Sequence, residues 1–253
     1  MAYREIAKKV DAILSSSGFE TYGFKIGWYN DCVQESFVFP YDYDTYAVLI
    51  VSTPDMFENG LVPFVLKVDC VSSNDILDEY MKDRFNDIKK EFSDYDVEAV
   101  HDFELLPSRR PKILVQTAGH VAGAAYYYQR KDVQPDPWSE NKKIFGVSIH
   151  PKYGGWFAFR GALIFKNVLC PDLEKKEPLN VVSDSKKVQE LLERFNGNWQ
   201  DWSFRDIISV DKKYSEMQKE YFATLPKDRQ KVIDKIKMNY KDSCTNQGDD
   251  EVK

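Results

Sequence analysis

The amino-acid sequence predicts one α+β domain whose sheet is mostly antiparallel and flanked by helices. Three observations carry that expectation. Apolar residues recur at helical spacing near the start, in the middle and through the last third of the chain. Strand-like runs lie between these stretches, several joined by short loops. No internal repeat and no long Pro/Gly/Ser linker divides the chain, and 253 residues is the upper range of what one core supports.

Taken in order, Ile6, Val10, Ile13 and Leu14 mark an amphipathic helix that ends near Gly18. "YGFKIGWY" (22–29) and "TYAVLIVS" (45–52) read as strands, the second apolar enough to be buried on both faces. "FPYDYD" between them is loop. Leu77, Met81, Phe85, Ile88 and Phe92 mark a long helix, with Ser73, Asn74 and Asp75 as candidate N-caps. "VEAVHDF" (97–103) is a short strand leading through "PSRRPK" to another, "ILVQ" (113–116). "HVAGAAYYYQR" (120–130) follows as a helix, and "KIFGVSI" (143–149) pairs with "GGWFAFRGALIF" (154–165) around "HPKYGG". Strict alternation in the latter strand puts Phe157, Phe159, Leu163 and Phe165 on one face. Arg160 then lies on the other with Trp156, Ala158 and Ala162. "SKKVQELLERF", "KKYSEMQKEYFATL" and "PKDRQKVIDKIK" are helical, with Pro226 at a first helical position. The domain is expected to span 1–235, with 236–253 a polar, disordered tail.

Composition excludes several classes. With 35 Lys and Arg against 41 Asp and Glu, the net charge of −6 argues against nucleic acid or anionic membrane as the main partner. The longest apolar runs, such as "AVLIV" (47–51), fall far short of the roughly 20 residues that span a bilayer. Cys32, Cys70, Cys170 and Cys244 form no CxxC pair and read as free thiols in a reducing compartment, which suggests a cytoplasmic protein. His101, His120 and His150 match no zinc spacing, so no metal site is expected. No GxSxG, Walker A or GxGxxG occurs.

Two places invite chemistry. On a helix, His120, Gly123, Ala124, Tyr127 and Tyr128 would share one face: a small-residue floor between a histidine and tyrosines. That face suits either close packing on a sheet or a recess for a large flat ligand. Arg160, in a strand this apolar, needs an anionic partner, from the protein or from a ligand. Aromatic content of 14% fits ring-lined pockets without locating one.

The segments already singled out are together similar to one family. "RRPKILVQTAGHVAGAAYYYQRKDVQPDPW" (109–138), "GVSIHPKYGGWFAFRG" (146–161), "NWQDWSFRD" (198–206) and "YSEMQKEYFATLP" (214–226) resemble the CblC family of cobalamin-processing proteins, the methylmalonic aciduria and homocystinuria type C family. The likeness is colinear from about residue 4 to about residue 230. It implies a flavin reductase, nitroreductase-like fold that binds cobalamin base-off. It also implies two reactions: reductive decyanation of cyanocobalamin by a reduced flavin (FAD or FMN), and dealkylation of alkylcobalamins by glutathione. In the second, the external glutathione thiolate is the nucleophile, so no side chain is expected to be one.

Carried over position by position, the resemblance implies cobalamin contacts at Asp102, Ile113, Leu114, Val115, Gln116, His120, Tyr127, Tyr128, Gln129, Ser148 and Phe159. It implies glutathione contacts at Arg160, Arg205 and Arg229. Many relatives have Cys where this chain has Ser148 and an aliphatic residue where it has Phe159, so no thiol serves at 148. A CblD-type adaptor, methionine synthase and a homodimer partner are implied as well. A cobalamin carrier with little turnover and a flavin-only reductase are the competing readings.

Overall fold

The computed structural model describes residues 2–68 and 75–246, with side chains described as far as 240. In chain order, α1 (Ala2–Leu14) ends through a 3-10 turn at Gly18, whose φ is 79°. Then come β1 (Phe19–Lys25), α2 (Ile26–Asn30) and β2 (Thr45–Ser52). A wide π turn (Phe57–Leu61) runs into α3 (Val62–Lys67), followed by α4 (Ile76–Glu91), β3 (Val97–His101) and α5 (Val115–Val121). The remaining elements are β4 (Tyr126–Tyr128), β5 (Val147–Ile149), β6 (Ala158–Leu169), α6 (Ser185–Asn198), α7 (Glu216–Ala223) and α8 (Gln230–Asn246).

The main sheet has the order β1-β2-β6-β3, and every neighbouring pair is antiparallel. All eight residues of β2 are buried, as an apolar strand covered on both faces requires. Tyr46, Val48 and Ile50 face a core shared with α1, α3, α4 and α8. Ala47, Leu49 and Val51 face a second core with α2 and α5. Burying each such aliphatic side chain is worth about 1.5–3 kcal/mol, so this strand anchors both layers. A separate ribbon, β4 paired with β5, packs on α6 through a third core that includes Tyr128, Val147, Leu191 and Leu192.

The central strand β6 carries an irregularity that the expected alternation missed. Val51 pairs with Phe159 and Ile50 with Gly161, so Arg160 is an extra residue on β6. Gly161 has φ 118°, and a Cβ there would overlap the Val100 carbonyl on β3. This is a β-bulge closed by a glycine. It reverses the phase of the strand. Phe157, Phe159, Ala162 and Ile164 face the α2/α5 core, whereas Leu163 and Phe165 face the α1/α4 core. Arg160 lies over Phe222, on the latter side.

Other expectations change as well. β1 ends at Lys25 and the chain turns helical at Ile26. Residues 113–116 are no strand, because Val115 opens α5. β6 pairs with β2 and β3, and β5 pairs with β4 instead. Asp75 caps α4, accepting from the Leu77 N–H at 3.1 Å, while Ser73 and Asn74 lie outside the described residues. α8 crosses the boundary expected at 235, with Ile236 buried; residues 247–253 lie outside the described residues.

A polar cluster ties the β1 edge to the turn between β5 and β6. Glu20 accepts from the hydroxyls of Tyr22 at 2.7 Å and Tyr153 at 2.6 Å, with His150 Nε2 3.5 Å away. His150 Nδ1 accepts the Lys152 N–H at 3.1 Å, so in the neutral ring Nε2 carries the proton. Burial opposes charge on Glu20, but hydrogen bonds from His150, Tyr153 and Tyr22 outweigh it and hold the carboxyl at about 2, below its ordinary 4.5. A depressed carboxyl contributes stability above its unfolded value and loses it as the pH falls through its folded value. Stability should therefore decline between pH 4.5 and pH 2 with a component that Glu20→Gln removes. At neutral pH that variant should be less stable by about 1–3 kcal/mol, read from urea midpoints across pH.

Candidate functional site

The helix expected over 120–130 stops early. α5 ends at Val121, Gly123 adopts φ 75°, and Tyr126–Tyr128 run extended as β4. His120 and Tyr127 still meet, although through strand geometry: His120 Nδ1 accepts the Tyr127 N–H at 3.2 Å. Burial pushes the His120 imidazole below its ordinary value, so the ring is neutral with its proton on Nε2. Alternation sends Tyr127 and Tyr128 to opposite faces of the ribbon. Tyr128 is fully buried, donating to Asn180 Oδ1 and accepting the Val182 N–H, both at 2.8 Å.

A cavity of about 270 Å³ opens between α5 and β4, lined by Thr117, His120, Val121, Tyr127 and Gln129 together with Cys32. A second hollow, of about 530 Å³, shares Tyr127, Gln129 and Lys131 with it and continues past Ile144 and Gly146. The floor is fixed by α5. Ser148, opposite Tyr127 in the ribbon, donates to Gln116 Oε1 at 3.1 Å, and Gln116 Nε2 reaches the Gly146 carbonyl at 3.4 Å. The Leu114 N–H donates to the Tyr29 hydroxyl at 3.0 Å, anchoring the first turn. Behind it, Phe159 lies so close to Gly119 that any Cβ there would overlap the ring. The small residues therefore serve both purposes: Gly119 allows tight packing on β6, and the cavity opens on the His120 side.

The three arginines named through the resemblance converge on the segment around α7. Arg160 is buried, its guanidinium 5.9 Å from the Phe222 ring, and its Nε donates to Ser52 Oγ at 2.9 Å. Its two terminal nitrogens have no hydrogen bond or ion pair among the described residues. Arg205 sits among Trp156, Trp202, Phe204 and Tyr214, each ring centre 5.2–5.7 Å away, and donates to the Gly155 carbonyl. Arg229 lies 4.7 Å from the Tyr221 ring and pairs with Asp75. Tyr214 and Tyr221 each lie 5.4 Å from Phe222, so one aromatic chain links all three cations.

Carboxylates face this cluster. Asp102 follows β3, and its N–H donates to the Arg160 carbonyl at 3.4 Å. Burial raises the Asp102 carboxyl; Arg160 and the amides of Asp102 and Phe103 act against that. Burial, reinforced by Asp75 and Asp102, lifts Asp78 to about 6.

Of the residues named from the sequence, Gln116, His120, Tyr127, Gln129, Ser148 and Phe159 gather around α5 and the ribbon. Ile113 and Tyr128 are buried side chains that leave only backbone to a ligand. Asp102 lies with the arginines instead. Sequence reasoning read Cys32 only as a free thiol and missed that it lines the pocket from the loop after α2. Cys170 is buried, and burial pushes its thiol up to about 12. It also missed Tyr214, Tyr221 and Phe222, for which the ring-rich spelling of "YSEMQKEYF" was the available signal.

Comparison with known proteins gives a consistent picture. Residues 18–233 match the sequence profile of the methylmalonic aciduria and homocystinuria type C family. A Gallus gallus protein named cyanocobalamin reductase / alkylcobalamin dealkylase is 51% identical over 228 residues, covering 90% of this chain and 95% of that one. The Homo sapiens protein of the same name is 42% identical over 225 residues, covering 89% and 79%. A crystal structure of a C. elegans B12-trafficking protein, CblC, superposes with a TM-score of 0.85 at 39% identity, over 93% of this chain and 97% of that one.

The Gly119–Phe159 contact makes a sharp prediction. Gly119→Ala should overpack the α5–β6 interface and cost about 1–3 kcal/mol, read as a lowered denaturation midpoint. Gly197, in α6, faces open space where a methyl group would sit, with nothing within 4 Å, so Gly197→Ala should shift the midpoint the other way, by about 0.5–1 kcal/mol.

Proposed function

Since the chain belongs to the methylmalonic aciduria and homocystinuria type C family, we propose that it processes cobalamin, removing the upper axial ligand as a cyanocobalamin reductase and alkylcobalamin dealkylase. One observation carries the reading: at the bulge in β6 the neighbours Phe159 and Arg160 serve different layers, Phe159 packing behind α5 and Arg160 lying over Phe222. One strand end thereby backs the helix that lines the recess and supplies the cationic cluster. A corrin, large and flat with amide arms, suits the first; a thiol carrying carboxylates suits the second.

Cobalamin is read as bound base-off. His120, Tyr127, Gln129 and Phe159 would flank it, with backbone at Ile113 to Gln116 and at Tyr128, and Ser148, Asp102 at its margin. Arg160, Arg205 and Arg229 would hold glutathione. In dealkylation the thiolate sulfur bonds to the alkyl carbon, the cobalt–carbon bond breaks, and its electron pair stays on cobalt, giving cob(I)alamin and a thioether. The protein's part is to orient the thiol, favour its ionised form through the arginines and exclude water. The Cys170 thiol, held up at about 12, is unsuited to replace it. A reduced flavin, FAD or FMN, would supply electrons for decyanation as an exchangeable reductant.

The antiparallel sheet with helices on both faces supports a flavin reductase, nitroreductase-like lineage. Hand-over to a CblD-type adaptor or methionine synthase, a homodimer and a cytoplasmic location belong to the same proposal. Among the described residues no helix is long and apolar enough to cross a membrane.

Titration with methylcobalamin tests the binding half: the absorption should move from the red base-on form to the yellow base-off form. Adding glutathione should then yield S-methylglutathione and cob(I)alamin. A spectral shift without product would favour a carrier, and an unchanged spectrum at saturating protein would sink both readings. Arg160→Ala should raise the KM for glutathione about tenfold or more, a charge-assisted contact being worth about 1.5–3 kcal/mol. Affinity for methylcobalamin should move less than about threefold, and Arg160→Lys should recover part of the loss. Equal losses in both would mean that Arg160 holds the corrin or the fold.

A further inference from the structure

Asp78 stands out among the carboxylates near the arginine cluster. Asp75 caps α4, pairs with Arg229 and accepts from the Tyr221 hydroxyl at 3.1 Å. Asp102 is served by the backbone amides of Asp102 and Phe103. Asp78, in the first turn of α4, is half-buried and makes no hydrogen bond or ion pair among the described residues. Within its field lies Arg160, 7% exposed and with both terminal nitrogens unclaimed among the described residues. Both belong to one cluster: Asp78 stands one helical turn from Asp75, whose partner Tyr221 packs on Phe222, and Arg160 lies over Phe222, so an unmatched acceptor and an unmatched donor pair fall within each other's field.

We propose that Asp78 and Arg160 together form a receptor for an α-amino-acid zwitterion, Asp78 taking the ammonium and Arg160 the carboxylate of the thiol co-substrate's γ-glutamyl end. The inference rests on the thiol reading above and deepens it by naming the part of the thiol that is recognised. A zwitterion answers both unmet groups at once and adds no net charge to the cluster. A plain dicarboxylate would satisfy Arg160 but set a fourth carboxylate beside Asp78, Asp75 and Asp102.

The charged groups facing Asp78 are Asp75 and Asp102, which raise its carboxyl, and Lys82 and Arg160, which lower it; with burial the balance is about 6. At pH 7 the carboxylate is ionised and ready for an ammonium. As the pH falls through 6 it takes up a proton, and recognition of the ammonium is lost. The ratio of KM values for two thiols differing only in that amino group isolates this effect, because ionisation of the thiol cancels.

The experiment compares glutathione with glutaryl-Cys-Gly, which lacks only the γ-glutamyl amino group, using the full chain and saturating methylcobalamin. Wild type should show a KM about tenfold lower for glutathione at pH 7.5, a preference that fades below pH 6. Asp78→Asn should raise the glutathione KM about tenfold, to the level of the glutaryl peptide, and move the latter less than about twofold. Asp78→Glu should recover part of the preference. A wild type that treats the two thiols alike overturns the inference whatever the variants do, as does an Asp78→Asn that shifts both equally. Turnover with glutathione in those cases leaves the thiol reading standing, whereas no turnover with either thiol removes the reading and the inference together.

Discussion

The bulge at Arg160–Gly161 is the constraint on which the two halves of the site depend. β6 is the longest strand and lies between β2 and β3, so its phase decides what each core receives. Strict alternation would keep Arg160 in phase with Ala162 and Ile164, so Phe159 could not share the α2/α5 core with those two residues while Arg160 stayed out of it. One extra residue reverses the phase downstream, so that Ala162 and Ile164 join Phe159 on the α5 side while Arg160 stays on the α7 side with Leu163 and Phe165. The change needs a residue with φ near 118° where no Cβ fits, and only glycine meets both conditions.

The arginine cluster is held by rings more than by counter-charges. Arg160 and Arg205 have no carboxylate within salt-bridge distance among the described residues; Arg229 alone has Asp75. Aromatic faces stabilise a guanidinium without cancelling its field, and guanidinium is weakly hydrated enough to tolerate the burial. A chain of net charge −6 can thus hold guanidinium groups without tying each to a carboxylate, which leaves Arg160 its terminal donors for a ligand.

Much of this was legible in the sequence where local signals agree. The apolar β2, the Asp75 cap of α4 and the helical periodicity of α6 each follow from a pattern within one segment. The stretch 120–130 misled because its small residues fit helical spacing, whereas its tyrosines are extended by pairing with β5, some twenty residues on. No periodicity within 120–130 contains that partner. The bulge had a local signal, a glycine inside an apolar strand, but alternation was extended across it. Cys32 reaches the recess from a distant loop, and nothing in its own neighbourhood announces this. The arginines and the ligand-facing residues were named through family resemblance; spacing alone left both places undecided.

The ribbon that walls the recess has only three residues in each strand, and a two-stranded ribbon is marginal by itself. It is fastened from behind, through the Tyr128 hydroxyl to Asn180 and Val182 and through apolar contacts with α6. Any local opening of this wall must therefore loosen that rear core as well. How long a molecule stays in the recess becomes a property of Leu191 and Leu192 as much as of His120 or Tyr127: residence time is governed from the reverse side of the wall, and can drift under substitutions that leave every contact surface intact.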